Sequence, residues 1–358
     1  MSRVNWGAVI GVLLGPLLYL LTWPTAIDPV AWYPDSAPAL EGVYAPNTRL
    51  AGAELLSLGE ARGGEDVVVD ARGRVFTGVE DGRILRFDPG ASAPVVHAET
   101  GGRPLGMALT ADGRIAVADG ERGLLLIDGE GAVEALDVYA EGAPLSFADD
   151  VEVGPDNVAY VTDVSPKFGF NEYTLEILEG RPNGRVVAVD LETQRTRQVR
   201  GDLFFPNGVA LDPEGRFVLV CETSRYRVVR VWLGDREGEG DVFAANLPGF
   251  PDGITGDGHG SFWVAIVNPR NTMVDLLAPW PFMRRVVTRL PSALRPGPAR
   301  SGMVLRLDGE GRVVEQLGDP EGATIGHVSS AEPFGDWLYL GTLGEPVIAR
   351  LRLAPTGG

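Results

Sequence analysis

Four oxygen-bearing side chains, Glu65, Asp149, Asn207 and Asp252, lie far apart in the chain but share one local setting. Each stands just ahead of a strand-like run that reaches a turn and continues into a second run: "EDVVVDARGRVFTG", "DDVEVGPDNVAYVTDV", "NGVALDPEGRFVLVCE" and "DGITGDGHGSFWVAIVN". Three carboxylates brought together would repel one another, so either some stay protonated or a cation sits between them. Oxygen donors without a cysteine suit a hard divalent ion, Ca²⁺ first, with Mg²⁺ and Mn²⁺ as alternatives and water completing the shell. Such an ion would polarise a bound carbonyl and stabilise the oxyanion that forms. His327 occupies the same place in another copy and is a candidate to position or deprotonate water. A supporting or channel-filling role is its alternative, and Asp149 is the second candidate to orient the water. Asp66 and Asp150 directly follow two of the four, so they either bind a deeper cation or hydrogen-bond the backbone. His259 sits in a "GDGHGS" turn and His97 after an apolar run, where a structural role is expected.

What could bring these residues together is a repeat. Six copies of the two-run unit begin near Glu65, Leu105, Asp149, Asn207, Asp252 and His327, and the first residues after their turns are Val75, Ile115, Val158, Phe217, Phe262 and Trp337. Each unit alternates as a hairpin should and carries the turn residues it needs. Complete copies add a third strand such as "GRILRFD" or "GMVLRLD". Unstretched copies recur about every 40–45 residues, the period of a propeller blade. The expected fold is all-β, a six-bladed β-propeller over 46–358, whose innermost strands line an axial channel. The candidate ligands would then meet at one mouth. Asp and Asn before strands also serve merely as turn residues, but four in register, one a glutamate, argue for more. Two copies are stretched, by insertions at about 165–182 and 268–301. The second insertion contains "PWPFMRRVVTRLP", apolar residues and arginines at helical spacing around Met283 to Leu290. It reads as a lid helix, an interfacial helix or a packed surface helix.

The chain has 358 residues and a formal net charge of −18. That balance offers no basic surface for phosphates, so a nucleic-acid partner is excluded. A lone cysteine, Cys221, rules out an intrachain disulfide. Trp6 to Trp23 form an uncharged run of 18 residues, the minimum for a transmembrane helix. The expected order is therefore a cytoplasmic tail at 1–5, a membrane anchor at 6–23, a linker at 24–45 and then the propeller on the exported side. A cleaved signal peptide is the alternative.

"FPNGVALDPEGRFVLVCETSRYRVVRVWL", "LPGFPDGITGDGHGSFWVAI" and "FADDVEVGPDNVAYVTDVSPKF" resemble the strictosidine synthase-like family, in particular its membrane-anchored adipocyte plasma membrane-associated protein branch. The resemblance covers nearly all of the chain and implies a six-bladed propeller. Through the wider group of paraoxonases and gluconolactonases it also implies metal-dependent hydrolysis of lactones or esters, here of a small lipophilic substrate, with ligands at Glu65, Asp149, Asn207 and Asp252. Such hydrolases usually carry asparagine where this chain has Asp149. The glutamate that strictosidine synthase proper uses in the last blade falls at Gly326, which disfavours condensation. A non-catalytic, membrane-anchored ligand- or protein-binding propeller is the alternative to hydrolysis.

Overall fold

The computed structural model describes residues 6–295 and 297–353. Six four-stranded antiparallel sheets form the blades of a β-propeller. Val75, Ile115, Val158, Phe217, Phe262 and Trp337 each open the second strand of a blade, so the turn-based registration holds all the way round. The innermost strands run Val67–Val69, Pro104–Leu109, Ala148–Val153, Pro206–Leu211, Gly249–Gly256 and Val328–Phe334. Each touches its neighbours and the first touches the last, which closes a ring around a channel.

Local chemistry sets the hairpins. Gly113 and Gly215 take φ of +84° and +67°, a region costly for a residue with a Cβ. The recurring Asp…Gly-Arg signature is a self-paired turn: Asp70 Oδ1 accepts the backbone N–H groups of Arg72 and Arg74. Its other oxygen meets the Arg74 guanidinium at 2.6 Å, and Arg216 with Asp212 repeats the pair at 2.8 Å. Second strands are covered on both faces by adjacent blades, so Phe217–Glu222 is buried throughout and reads as a continuous apolar run rather than an alternation. Between the fourth and fifth blades Leu219, Cys221, Val264, Ile266 and Leu305 pack as one core, each large aliphatic contributing about 1.5–3 kcal/mol by leaving water. Glu54–Ser57 pairs antiparallel with Val347–Arg352, so the first part of the chain supplies the outer strand of the last blade.

Both insertions link the second and third strands of a blade. Ala148 pairs with Asp163 and Gly249 with Pro269, so each insertion emerges where an innermost strand begins, at the end of the ring that holds the candidate ligands. Among the described residues the α-helices are α1 (Trp6–Thr22), α2 (Tyr173–Glu179), α3 (Thr272–Leu277) and α4 (Pro281–Thr288). The last is the helix expected near Met283, started by a proline in its first turn. Its Arg284 donates to the carbonyls of Leu178 and Glu179, which ties it to the C-terminal end of α2. The segment 24–45, expected as a linker, is laid over these helices. Trp32 N–H donates to Ala278 O at 3.1 Å, and Asp28 pairs with Arg181 and Arg285 at 2.6 Å each.

The expected transmembrane anchor is where the structure differs from the sequence reading. Among the described residues no helix is long and apolar enough to cross a membrane. Helix α1 has 17 residues with Pro16 inside, about 25 Å of rise against a hydrocarbon layer of about 30 Å. The expected tail at 1–5 lies outside the described residues.

Candidate functional site

Glu65 lies just before its innermost strand, as expected. Asp149, Asn207 and Asp252 lie inside theirs, within irregular pairings at Ala148/Val151, Pro206/Val209 and Pro251/Ile254. A β-bulge sets two residues against one and re-aims a side chain next to a site. Here each irregular stretch carries a donor that lines the channel. All four candidates line a single cavity of about 280 Å³, built from the innermost strands of all six blades and hence on the propeller axis. Leu105, the corresponding residue of the second blade, lines it without offering a donor.

Asp149 and Asp252 are only 6% and 5% exposed. Burial first, then the charges of Glu65, Asp252 and Asp150, push the Asp149 carboxyl well above its ordinary range. Burial and Glu65 do the same for Asp252, against a hydrogen bond from Asn207. Glu65 is also raised by burial, but Arg103 opposes the shift. The Arg103 guanidinium meets Glu65 Oε2 at 2.5 Å and donates to the carbonyls of Gly63 and Pro104. The Phe170 ring of the third-blade insertion lies 5.4 Å from it. Sequence reading missed Arg103, because it sits two residues before the donor-less Leu105. Tyr173 of α2 is a second missed residue. Burial and the charges of Glu65 and Asp252 raise its phenol, so it stands within electrostatic reach of the mouth.

His327 is not among the residues lining the cavity. Its Nδ1 lies 3.1 Å from the Asn268 side chain. The Asn268 amide satisfies its neighbours when its nitrogen donates to the carbonyls of Ala299 and Val267 and to that Nδ1. In that orientation Nδ1 accepts the Asn268 hydrogen bond. His97 packs edge-on to Phe76 at 5.1 Å, a structural place, and His259 is exposed in its turn.

Asp66 and Asp150 have another task. Asp66 accepts N–H groups from Val67 at 2.8 Å and from Met107 on the next blade at 2.7 Å. Asp150 accepts from Val151 and from Val209 on the next blade, both at 2.8 Å. Each carboxylate staples two innermost strands. Further carboxyls line the same cavity: burial raises Glu152 to about 7, and burial with the neighbouring acids raises Glu332 well above its usual range. The signal available in sequence was a charged residue inside an otherwise buried strand.

By donor chemistry the set suits a hard cation, since three carboxyls and an amide share one cavity. As the side chains stand, no group of three or more His, Cys, Asp or Glu among the described residues is gathered tightly enough to hold a metal. Glu65 is meanwhile paired with Arg103.

Fold and site together define a six-bladed propeller with an axial cavity lined by acids. The chain belongs to the strictosidine synthase-like family. The family models described as strictosidine synthase and as strictosidine synthase-like, N-terminal, match residues 149–236 and 42–87. It is 34% identical to the adipocyte plasma membrane-associated protein of Rattus norvegicus, over 95% of this chain and 96% of that one. Its identity to Protein STRICTOSIDINE SYNTHASE-LIKE 7 of Arabidopsis thaliana is 32%, over 96% and 94%. Among solved structures, a gluconolactonase from Xanthomonas campestris superposes with a TM-score of 0.62 at 18% identity, over 92% and 98%. A calcium-binding protein, regucalcin, from Agrobacterium tumefaciens superposes with 0.56 at 17% identity, over 81% and 92%. These two likenesses bear on fold alone.

Proposed function

We propose that the protein is a membrane-associated, metal-dependent hydrolase of lipophilic lactones or esters. The observation that carries this reading is the meeting of Glu65, Asp149, Asn207 and Asp252, from four blades, in one axial cavity. These four would hold the ion, Ca²⁺ by the hardness of the donors. When bound, the ion would polarise the substrate carbonyl and stabilise the oxyanion. Asn207 opposes the upward shift of the Asp252 carboxyl beside it. Asp149, with no hydrogen bond among the main influences on its carboxyl, has an oxygen left to orient the attacking water. His327, held by Asn268, is assigned a supporting role instead of that of the base. Gluconolactonase structures among the fold relatives are consistent with hydrolysis, and the plasma membrane-associated name of the curated relatives with membrane attachment through α1. Arg3 on the short side of the apolar run favours an exported propeller. Condensation is disfavoured, because Gly326 brings no carboxyl.

The test is turnover of an aryl-ester and lactone panel by the full chain, with and without chelator. We expect chelation to abolish hydrolysis and Asn207→Ala to lower kcat/KM by about a hundredfold. Activity indifferent to both would reject the mechanism. One observation favours a second reading, a cation- or ligand-binding propeller without catalysis: Arg103 already occupies Glu65. That reading gains if added metal raises thermal stability while no ester or lactone is consumed.

A further inference from the structure

We propose that the end of the propeller bearing the cavity mouth lies against a lipid bilayer, through an apolar face formed by α3 and α4 beside α1. The proposal rests on the membrane-association reading above and adds to it an orientation and a second point of contact. Met273, Leu276, Trp280, Phe282 and Met283 are between 44% and 63% exposed. Five large apolar side chains displayed by one short insertion exceed the scattered exposure normal for a soluble surface. The insertion cannot roll to hide them. Arg284 and Val287, on the other side of α4, are buried, and Arg284 is fixed to the carbonyls of Leu178 and Glu179.

The neighbouring element points to lipid as the occupant. Arg289 of the insertion donates to Leu20 O at 2.6 Å, and the hydroxyls of Thr25 and Thr288 meet at 2.9 Å. The C-terminal end of α1 is therefore held beside α4. Along α1, Leu14, Leu17, Leu18 and Leu21 are exposed at i, i+3, i+4 and i+7, an apolar stripe without protein against it. It continues the 18-residue uncharged run from Trp6 to Trp23. Trp23 and Trp280, 59% and 63% exposed, are residues suited to the headgroup boundary. Arginines at the junction are already engaged, Arg284 and Arg289 with backbone carbonyls and Arg285 with Asp28, so uncharged lipid suffices. Both insertions rise at the mouth, and Phe170 of the other one, stacked on Tyr173, packs against Arg103 beside Glu65. A lipophilic substrate would thus enter from the membrane side.

The test uses the full chain with one added cysteine, Phe282→Cys in α4 or His259→Cys in a hairpin at the opposite end of the ring, labelled with an environment-sensitive fluorophore. Native Cys221 is fully buried and stays unlabelled. Met283→Cys replaces the first variant if that one fails to fold. With phosphatidylcholine vesicles containing doxyl lipid, the α4 label should shift to the blue and lose about half its emission, as an interfacial helix would. The label at 259 should keep its emission. An α4 label left bright while the chain floats with vesicles overturns this orientation and leaves membrane association standing. A chain that does not float overturns both. A label shielded without vesicles, in proportion to protein concentration, assigns the face to a second copy and overturns the proposal.

Discussion

Arg103 offsets one of the charges of the four ligand candidates. Glu65, Asp149 and Asp252 would carry three negative charges, and the guanidinium against Glu65 leaves two, the charge one divalent ion cancels. Asp149 stands where resemblance to lactone hydrolases leads one to expect asparagine, and Arg103 offsets the extra charge. Removing one partner of a buried pair leaves the other unpaired in a poor solvent for charge. Arg103→Met should therefore destabilise the metal-free protein by about 3–5 kcal/mol in urea unfolding. Millimolar Ca²⁺ should restore part of that loss. Asp149→Asn should act oppositely, stabilising the metal-free protein by about 1–2 kcal/mol through relief of repulsion while weakening the response to Ca²⁺. An Arg103→Met variant as stable as the parent would remove Arg103 from the site. The four ligand candidates were legible because each copy repeats its neighbours. Arg103 was not, because its partner lies on another blade, 38 residues away, and no single-copy pattern announces such a pair.

At the scale of strands, the working unit is the bulged start of each innermost strand. Turn residues and the blade period located all six hairpins, since both are written into consecutive residues. The bulges were not legible, because a bulge is a property of a pairing, and sequence reading therefore placed Asp149, Asn207 and Asp252 one step too early, ahead of strands that already contain them. The staples follow from the same geometry. Gly106 of the second blade lacks a Cβ where one would fall 2.1 Å from Asp150 Oδ1, which leaves room for the carboxylate that staples the third blade to the fourth. Asp150→Ala would leave the Val151 and Val209 amides without their acceptor. Each unsatisfied buried group costs about 1–3 kcal/mol, so denaturant unfolding should show a loss of about 2–4 kcal/mol. Hydrogen exchange at Val209 should accelerate well beyond that in the outer strands. Asp150→Asn keeps one acceptor oxygen and should lose about half as much. If Asp150→Ala left the Val209 amide fully protected, the staple would carry no weight.

Taken as a whole, the molecule is a closed ring around acids, and closure forces the repulsion that a flat sheet would avoid. Glu54–Ser57 clasps the last blade, so the ring cannot open to separate Asp149 and Asp252 at the mouth from Glu152 and Glu332, which line the same cavity. The overall charge of −18 adds to the strain above neutral pH. Burial raises Glu152 to about 7 in the folded chain from an ordinary value of 4.5, and Glu332 moves in the same direction. Between those values the folded state holds more protons than the unfolded one, so stability must fall as pH rises through that window. Glu152 touches a cavity that admits water, which trims its share to about 1–2 kcal/mol. Thermal unfolding of the metal-free protein should therefore give a higher Tm near pH 5 than near pH 8. Glu152→Gln should flatten that slope, since it removes the proton exchange without changing the side chain's shape. A cation bound among the carboxylates competes with protons, so Ca²⁺ should raise Tm strongly near pH 8 and little near pH 5. A metal-free protein whose Tm climbs from pH 5 to pH 8 would mean that these acids are solvated in the folded state, and that the channel is not the poorly hydrated acidic cavity on which metal binding is argued.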